Sequence, residues 1–155
     1  MANTYTQIYI QIVFAVKGRQ NLIPQENREE LHRIISGIIS NRNQKLFAIF
    51  AMPDHVHLLV SVNPNILISD LVRDIKAGSS KFINDKKWMS GKFNWKEGYG
   101  AFSYSKSNID QVVKYILNQE SHHQKKSFKD EYLDFLRKFE INYDEKYVFE
   151  WVNEV

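Results

Sequence analysis

The sequence contains no cysteine. That absence removes disulfides, zinc–thiolate sites and thiol nucleophiles, so any metal must be held by nitrogen and oxygen donors. Proline and glycine are scarce, with three and six residues in a chain of 155. They form no linker or low-complexity tract, and no repeat is visible, so a single domain over 1–155 is expected. No stretch approaches the roughly 18 apolar residues of a membrane span, so no membrane partner is expected. The opening segment MANTYTQIYI lacks the basic-then-apolar order of a secretion signal, which makes the cytoplasm the expected location. Nor does one sign of charge dominate: 21 Lys and Arg stand against 18 Asp and Glu, a net of +3. This balance is compatible with a polyanionic partner without demanding one.

What is present suits a soluble globular core, at 43% hydrophobic, 25% charged and 14% aromatic. Residues 5–16 alternate with a period of two, placing Ile8, Ile10, Ile12, Phe14 and Val16 on one face of a first strand. Lys17-Gly18-Arg19 then breaks the pattern. Pro24 opens a helix whose buried stripe is Leu31, Ile34, Ile35, Ile38 and Ile39. Strands over 45–52 and 55–62 follow, joined by the turn Pro53-Asp54. A second helix is expected from Ser69, with that hydroxyl as N-cap, to Lys86. A fourth strand is expected at 101–104, and a third helix from Ser107-Asn108-Ile109-Asp110 to Gln124. A further helical pattern starts at Phe128, and KYVFEWV (146–152) reads as a last strand. The order β-α-β-β-α-β is that of an α+β, ferredoxin-like domain: an antiparallel sheet with helices on one face, plus extra helices.

Two features carry chemistry. In MPDHVHLLV (52–60), Val56, Leu58 and Val60 form an apolar face, continued by Val62, while His55 and His57 share the opposite one. Their Cα atoms stand ~6.5 Å apart in a strand, a span two imidazoles can close around one cation. The plainer reading is two neighbouring histidines on a half-exposed strand. In KYILNQESHH (114–123), Tyr115 and Gln119 lie one helical turn apart, away from the apolar stripe of Ile109, Val112, Val113, Ile116 and Leu117, with His122 on the same line. The phenol and the amide then project from one surface. A phenol of pKa near ~10 needs activation to act as a nucleophile, and Gln119 is placed to complete a site begun by two histidines. Here the plainer reading is an exposed amphipathic helix.

The ordered set resembles the HUH single-tyrosine transposases, which include small insertion-sequence enzymes and REP-associated tyrosine transposases. The resemblance runs through MPDHVHLLV, DIKAGSSKFI (74–83), GYGAFSYS (98–105) and YILNQESHH. It implies a C-terminal helix carrying a catalytic Tyr115, which attacks single-stranded DNA and leaves a 5′-phosphotyrosine and a free 3′-hydroxyl. It implies His55, His57 and Gln119 as ligands of Mg²⁺ or Mn²⁺. It also implies a homodimer acting on hairpin-containing element ends.

Arg73, Lys76, Lys81 and Lys125 are candidate phosphate contacts, each also readable as part of a solvated basic face. Trp88, Trp95 and Tyr99 are read as packing their irregular segment rather than stacking on bases. One alternative is a non-catalytic, domesticated single-strand-binding protein of the same fold. It is disfavoured by the intact set of four site residues, and the basic-aromatic signature of RNA-recognition domains is absent from the sequence. Another is a phosphoesterase using activated water, with Tyr115 a bystander.

Overall fold

Alternating apolar residues fix the central pair of strands. In the computed structural model, which describes residues 4–18, 22–144 and Val148, β1 (Tyr9–Ala15) pairs antiparallel with β3 (His55–Ser61). The outer strands β2 (Lys45–Ala51) and β4 (Gly100–Tyr104) complete a four-stranded antiparallel sheet of order β2-β3-β1-β4. With α1 (Arg28–Asn41) and α2 (Ile68–Lys86), this is the expected ferredoxin-like α+β arrangement.

Period-two alternation sends Ile10, Ile12, Phe14, Val56, Leu58 and Val60 to one face, where they pack on Leu31, Ile35 and Ile39 of α1 and Leu71 and Ile75 of α2. The other face is covered as well. On it lie α3 (Ile109–Leu117), α4 (Gln119–Lys125) and α5 (Phe128–Lys138). Ala48 and Leu59 meet Ile109, Val112 and Ile116 of α3, while Val13, Ala15 and Phe102 meet Phe128, Tyr132 and Phe135 of α5. The sheet is therefore sandwiched, and the histidine face of β3 is interior.

Several local expectations are corrected. Ser69 does not cap α2: the helix starts at Ile68 with Leu67 as its extended N-cap, and no side chain caps it. Ile66 and Ile68, packed on the core, set that start. The third helix does not run unbroken to Gln124. It stops at Leu117, Asn118 adopts φ −102° and ψ 23°, and α4 starts on a new line. Leu117, expected in the apolar stripe, is 54% exposed at this break. Trp95 does pack the core, donating its indole N–H to Ser79 at 2.9 Å. Arg19 lies outside the described residues, and so does the expected strand 146–152 apart from Val148, which is helical rather than extended, its N–H on the Asp144 carbonyl at 3.2 Å, and is buried in the α5 cluster.

Candidate active site

Strand geometry brings His55 and His57 to one face, and the second helical layer closes over them. They are 1% and 0% exposed, and Gln119 is 0% exposed. Tyr115 is half-buried, its ring centroid 6.0 Å from that of His57. Tyr115 and Gln119 thus do share a side of their helical segment, but that side faces inward rather than outward. The reason is α5, whose docking turns a second helix face into an interface.

The structure adds two residues that the sequence reading missed. The break at Asn118 swings α4 so that His123, not His122, turns into the cluster. His122 instead packs on the Tyr115 ring at a centroid distance of 4.2 Å. Glu131 enters from α5 at 3% exposure. A signal for it exists in the sequence: Phe128, Glu131, Tyr132 and Phe135 follow the i, i+3, i+4, i+7 pattern, so an acid sits inside an apolar stripe.

Metal-ligand atoms of His55, His57, His123 and Glu131 all lie within 4.8 Å of one another. Glu131 Oε1 is 2.9 Å from His57 Nε2, 3.2 Å from His123 Nε2 and 3.9 Å from His55 Nε2. Gln119 Oε1 is 3.0 Å from His123 Nε2 and 3.3 Å from His55 Nε2. Each imidazole is held by its other nitrogen: Nδ1 of His55 faces Asp54 Oδ1 at 2.6 Å, that of His57 faces Gln11 Oε1 at 2.9 Å, and that of His123 faces the Lys126 carbonyl at 2.8 Å. Such partners fix the ring and its tautomer, as around histidine metal ligands. Donor set and spacing therefore fit a divalent cation.

The charges are tuned by the same packing. Complete burial pulls His57 down to about 4, so its ring is neutral at ordinary pH. Burial pushes the Glu131 carboxyl up, but hydrogen bonds from His123 and His57 outweigh it and hold the group well below the usual carboxylate range. The Tyr115 hydroxyl donates to Glu131 Oε2, and burial, reinforced by that carboxylate, raises the phenol far above its ordinary value. Beyond Tyr115 opens a cleft of about 520 Å³ between α3, α5 and β1, lined by Gln11, Tyr104, Gln111 and Lys138 among others.

The expected phosphate contacts are divided between the two faces. Arg73, Lys76 and Lys81 sit on α2, behind the sheet from Tyr115. Arg73 pairs with Asp70 and Asp74, Lys81 pairs with Asp85, and Lys76 donates to the carbonyls of Lys96 and Gly98. Lys125 is exposed at the end of α4, on the site's own side.

The family model for IS200-like transposases matches residues 4–119, a span that includes both histidines, Tyr115 and Gln119. The chain belongs to the IS200-like transposase family. Among its relatives, the ISDra2 transposase TnpA of Deinococcus radiodurans is 29% identical over 120 residues, covering 73% of this chain and 84% of that protein. The transposase for insertion sequence element IS200 of Salmonella typhimurium is 25% identical, covering 77% and 81%. A candidate transposase structure from Deinococcus radiodurans R1 superposes with a TM-score of 0.60 at 25% identity, over 77% of this chain and 95% of that one. A REP-associated tyrosine transposase bound to a REP hairpin shares the fold at a TM-score of 0.60 and 14% identity, over 79% and 73%. As a member of this transposase family, the chain carries the fold of DNA-cleaving enzymes. No helix among its described residues is long and apolar enough to cross a membrane.

Proposed function

We propose that this transposase cleaves and rejoins single-stranded DNA through Tyr115, with a divalent ion held by His55, His57 and Gln119. The observation that carries the reading is the convergence, within one chain, of the Tyr115 hydroxyl and the imidazole Nε2 atoms around the Glu131 carboxylate. In the cleavage step the Tyr115 oxygen bonds to phosphorus and the bond from phosphorus to the 3′ oxygen breaks. Glu131 Oε2 accepts the hydrogen bond that orients the Tyr115 hydroxyl. The phenolic proton leaves to solvent as the new bond forms, and the departing 3′ oxygen takes up a proton from solvent. Gln119 Nε2, which also donates to Glu131 Oε2 at 3.3 Å, steadies that carboxylate. A bound Mg²⁺ or Mn²⁺ supplies positive charge for the non-bridging oxygens and lowers the cost of forming phenolate.

The strand enters through the cleft beside Tyr115, with Tyr104 offering a ring for an unpaired base and Lys138 a charge for phosphate. Lys125 extends that path along α4. The REP-associated relative is described bound to a REP hairpin, and we take hairpin-containing element ends as the substrate here too. Two copies then handle the two ends of an element as a homodimer in the cytoplasm.

The test is a denaturing gel of the full chain with single-stranded oligonucleotides from the DNA flanking its gene, with Mg²⁺ or Mn²⁺. A metal-dependent protein–DNA adduct, lost in Tyr115→Phe, is the expected result. Multiple-turnover cleavage without an adduct, or an adduct surviving in Tyr115→Phe, overturns the reading in favour of a water-using phosphoesterase or another nucleophile.

A further inference from the structure

The family match ends at Gln119, yet two of the donor residues in the cluster, His123 and Glu131, lie beyond it. We propose that His123 Nε2 and Glu131 Oε1 bind the same ion as His55, His57 and Gln119, and that this three-imidazole centre takes a first-row transition ion in preference to Mg²⁺. The inference rests on the metal centre proposed above and adds its full ligand set and its selectivity.

Proton counting is the first argument. A neutral imidazole has one N–H. His55, His57 and His123 each spend theirs at Nδ1, on Asp54, Gln11 and the Lys126 carbonyl. Their three Nε2 lone pairs then face Glu131 Oε1 and Gln119 Oε1, which are acceptors too. Gln119 turns its own N–H groups outward, to the Tyr115 carbonyl and Glu131 Oε2. With the three rings neutral, five acceptor atoms meet without a donor among them; a shared proton can hold one imidazole to Glu131, but one cation satisfies all five at once.

Spacing agrees. Ligands at ~2.1 Å from one ion stand roughly 3.0–3.4 Å apart at right-angle or tetrahedral openings. The observed separations from Glu131 Oε1 and Gln119 Oε1 to the imidazoles run from 2.9 to 3.9 Å. The donor chemistry sets the preference. Mg²⁺ favours oxygen ligands and retains waters, whereas imidazole suits Fe, Ni, Cu and Zn, and Mn²⁺ stands at the weak-binding end of that series. Three imidazole nitrogens, two of them fully buried, and two oxygens leave a hard, water-loving ion poorly served. Glu131 does double duty in this arrangement, with Oε1 toward the ion and Oε2 on the Tyr115 hydroxyl.

The experiment is calorimetric titration of the EDTA-stripped full chain with Mn²⁺ and Mg²⁺, for wild type, His123→Ala and Glu131→Gln, with pulsed EPR counting the nitrogens on bound Mn²⁺. Wild type is expected to bind Mn²⁺ more tightly than Mg²⁺, which dehydrates reluctantly. Each variant should lose about 10- to 100-fold of the Mn²⁺ affinity while melting normally in EDTA. EPR should count three nitrogens in wild type and two in His123→Ala. Two nitrogens in wild type, equal affinities for the two ions, unchanged affinities in both variants, or no Mn²⁺ binding at all each overturn the proposal. If the variants fail to fold, the wild-type nitrogen count decides alone. The DNA adduct is a separate readout: an adduct with a two-nitrogen centre leaves Tyr115 chemistry standing and removes this inference, and a three-nitrogen centre without an adduct does the reverse.

Discussion

Tyr115 gives one hydrogen bond to Glu131, and its ring packs against His57, His122 and Phe135. Tyr115→Phe keeps those ring contacts, and Gln119 still donates to the same carboxylate oxygen. Its cost to stability should be about 1.5–3 kcal/mol, the range for a hydrogen bond to a charged group, read from urea melts beside wild type, while cleavage disappears. A collapse of the fold in that variant would mean that the hydroxyl is structural. The residues legible in the sequence were those whose partners are set by local periodicity. His55 and His57 share a strand face by period two, and Tyr115 and Gln119 share a helical side by period 3.6. His123 was not legible, because the break at Asn118 resets the helical phase and hands the inward position from His122 to its neighbour. Glu131 was legible only as an anomaly, a carboxylate in the apolar stripe of α5, since nothing local says which sheet residues that stripe meets.

Between elements, the edge strand β2 is tied to α1 by two side chains. Arg28 Nε donates to the Ala51 carbonyl at 2.8 Å, and the Ala51 N–H donates to His32 Nε2 at 2.9 Å. Arg28 also reaches Glu120 of α4 at 2.5 Å, linking the two helical layers around the sheet edge. Burial is the main cause that lowers His32 below its ordinary value of 6.5. The folded chain therefore takes up this proton less readily than the unfolded chain. The stability that this represents is complete above the unfolded value and is lost as pH falls through the lower folded one. His32→Gln keeps an acceptor that does not titrate, so its melting temperature should fall less than that of wild type from about pH 7.5 to about pH 5. Equal losses would exclude His32 as a contributor. On β4, a Cβ at Gly100 would stand 2.9 Å from the Phe102 ring and 3.0 Å from the Tyr132 hydroxyl. Gly100→Ala should cost about 1–3 kcal/mol by overpacking, again measurable by chemical denaturation; a neutral result would show that the ring yields freely. The first three strands and first two helices were readable because their apolar periods are clean and Pro53-Asp54 marks a turn, whereas β4 is short, GAFSY, and follows an irregular segment rich in Trp, Gly and Phe. The covering of the second sheet face was not, because it depends on α4 and α5 folding back, a tertiary event that leaves no mark in local pattern.

For the whole molecule, a net charge of +3 gives little long-range pull on DNA, so a few local contacts must carry the salt dependence. For single strands, the slope of log affinity against log salt changes by about 0.7 per phosphate contact. Lys125→Ala should therefore flatten the slope by about that amount in anisotropy titrations, and an unaltered slope would remove Lys125 from the DNA path. Light scattering should give twice the 18.4 kDa of one chain if the active species is the proposed homodimer; a mass equal to one chain would show that each copy works alone, as the assembly of the whole cluster within one chain permits. The most direct test of the central claim is to digest the protein–DNA adduct with trypsin and nuclease and locate the nucleotide mass by tandem mass spectrometry. Tyr115 is the only tyrosine between Lys106 and Lys125, so the assignment is unambiguous. A nucleotide phosphate on Tyr115 is the predicted result, and the same mass on any other residue would show that a different side chain is the nucleophile.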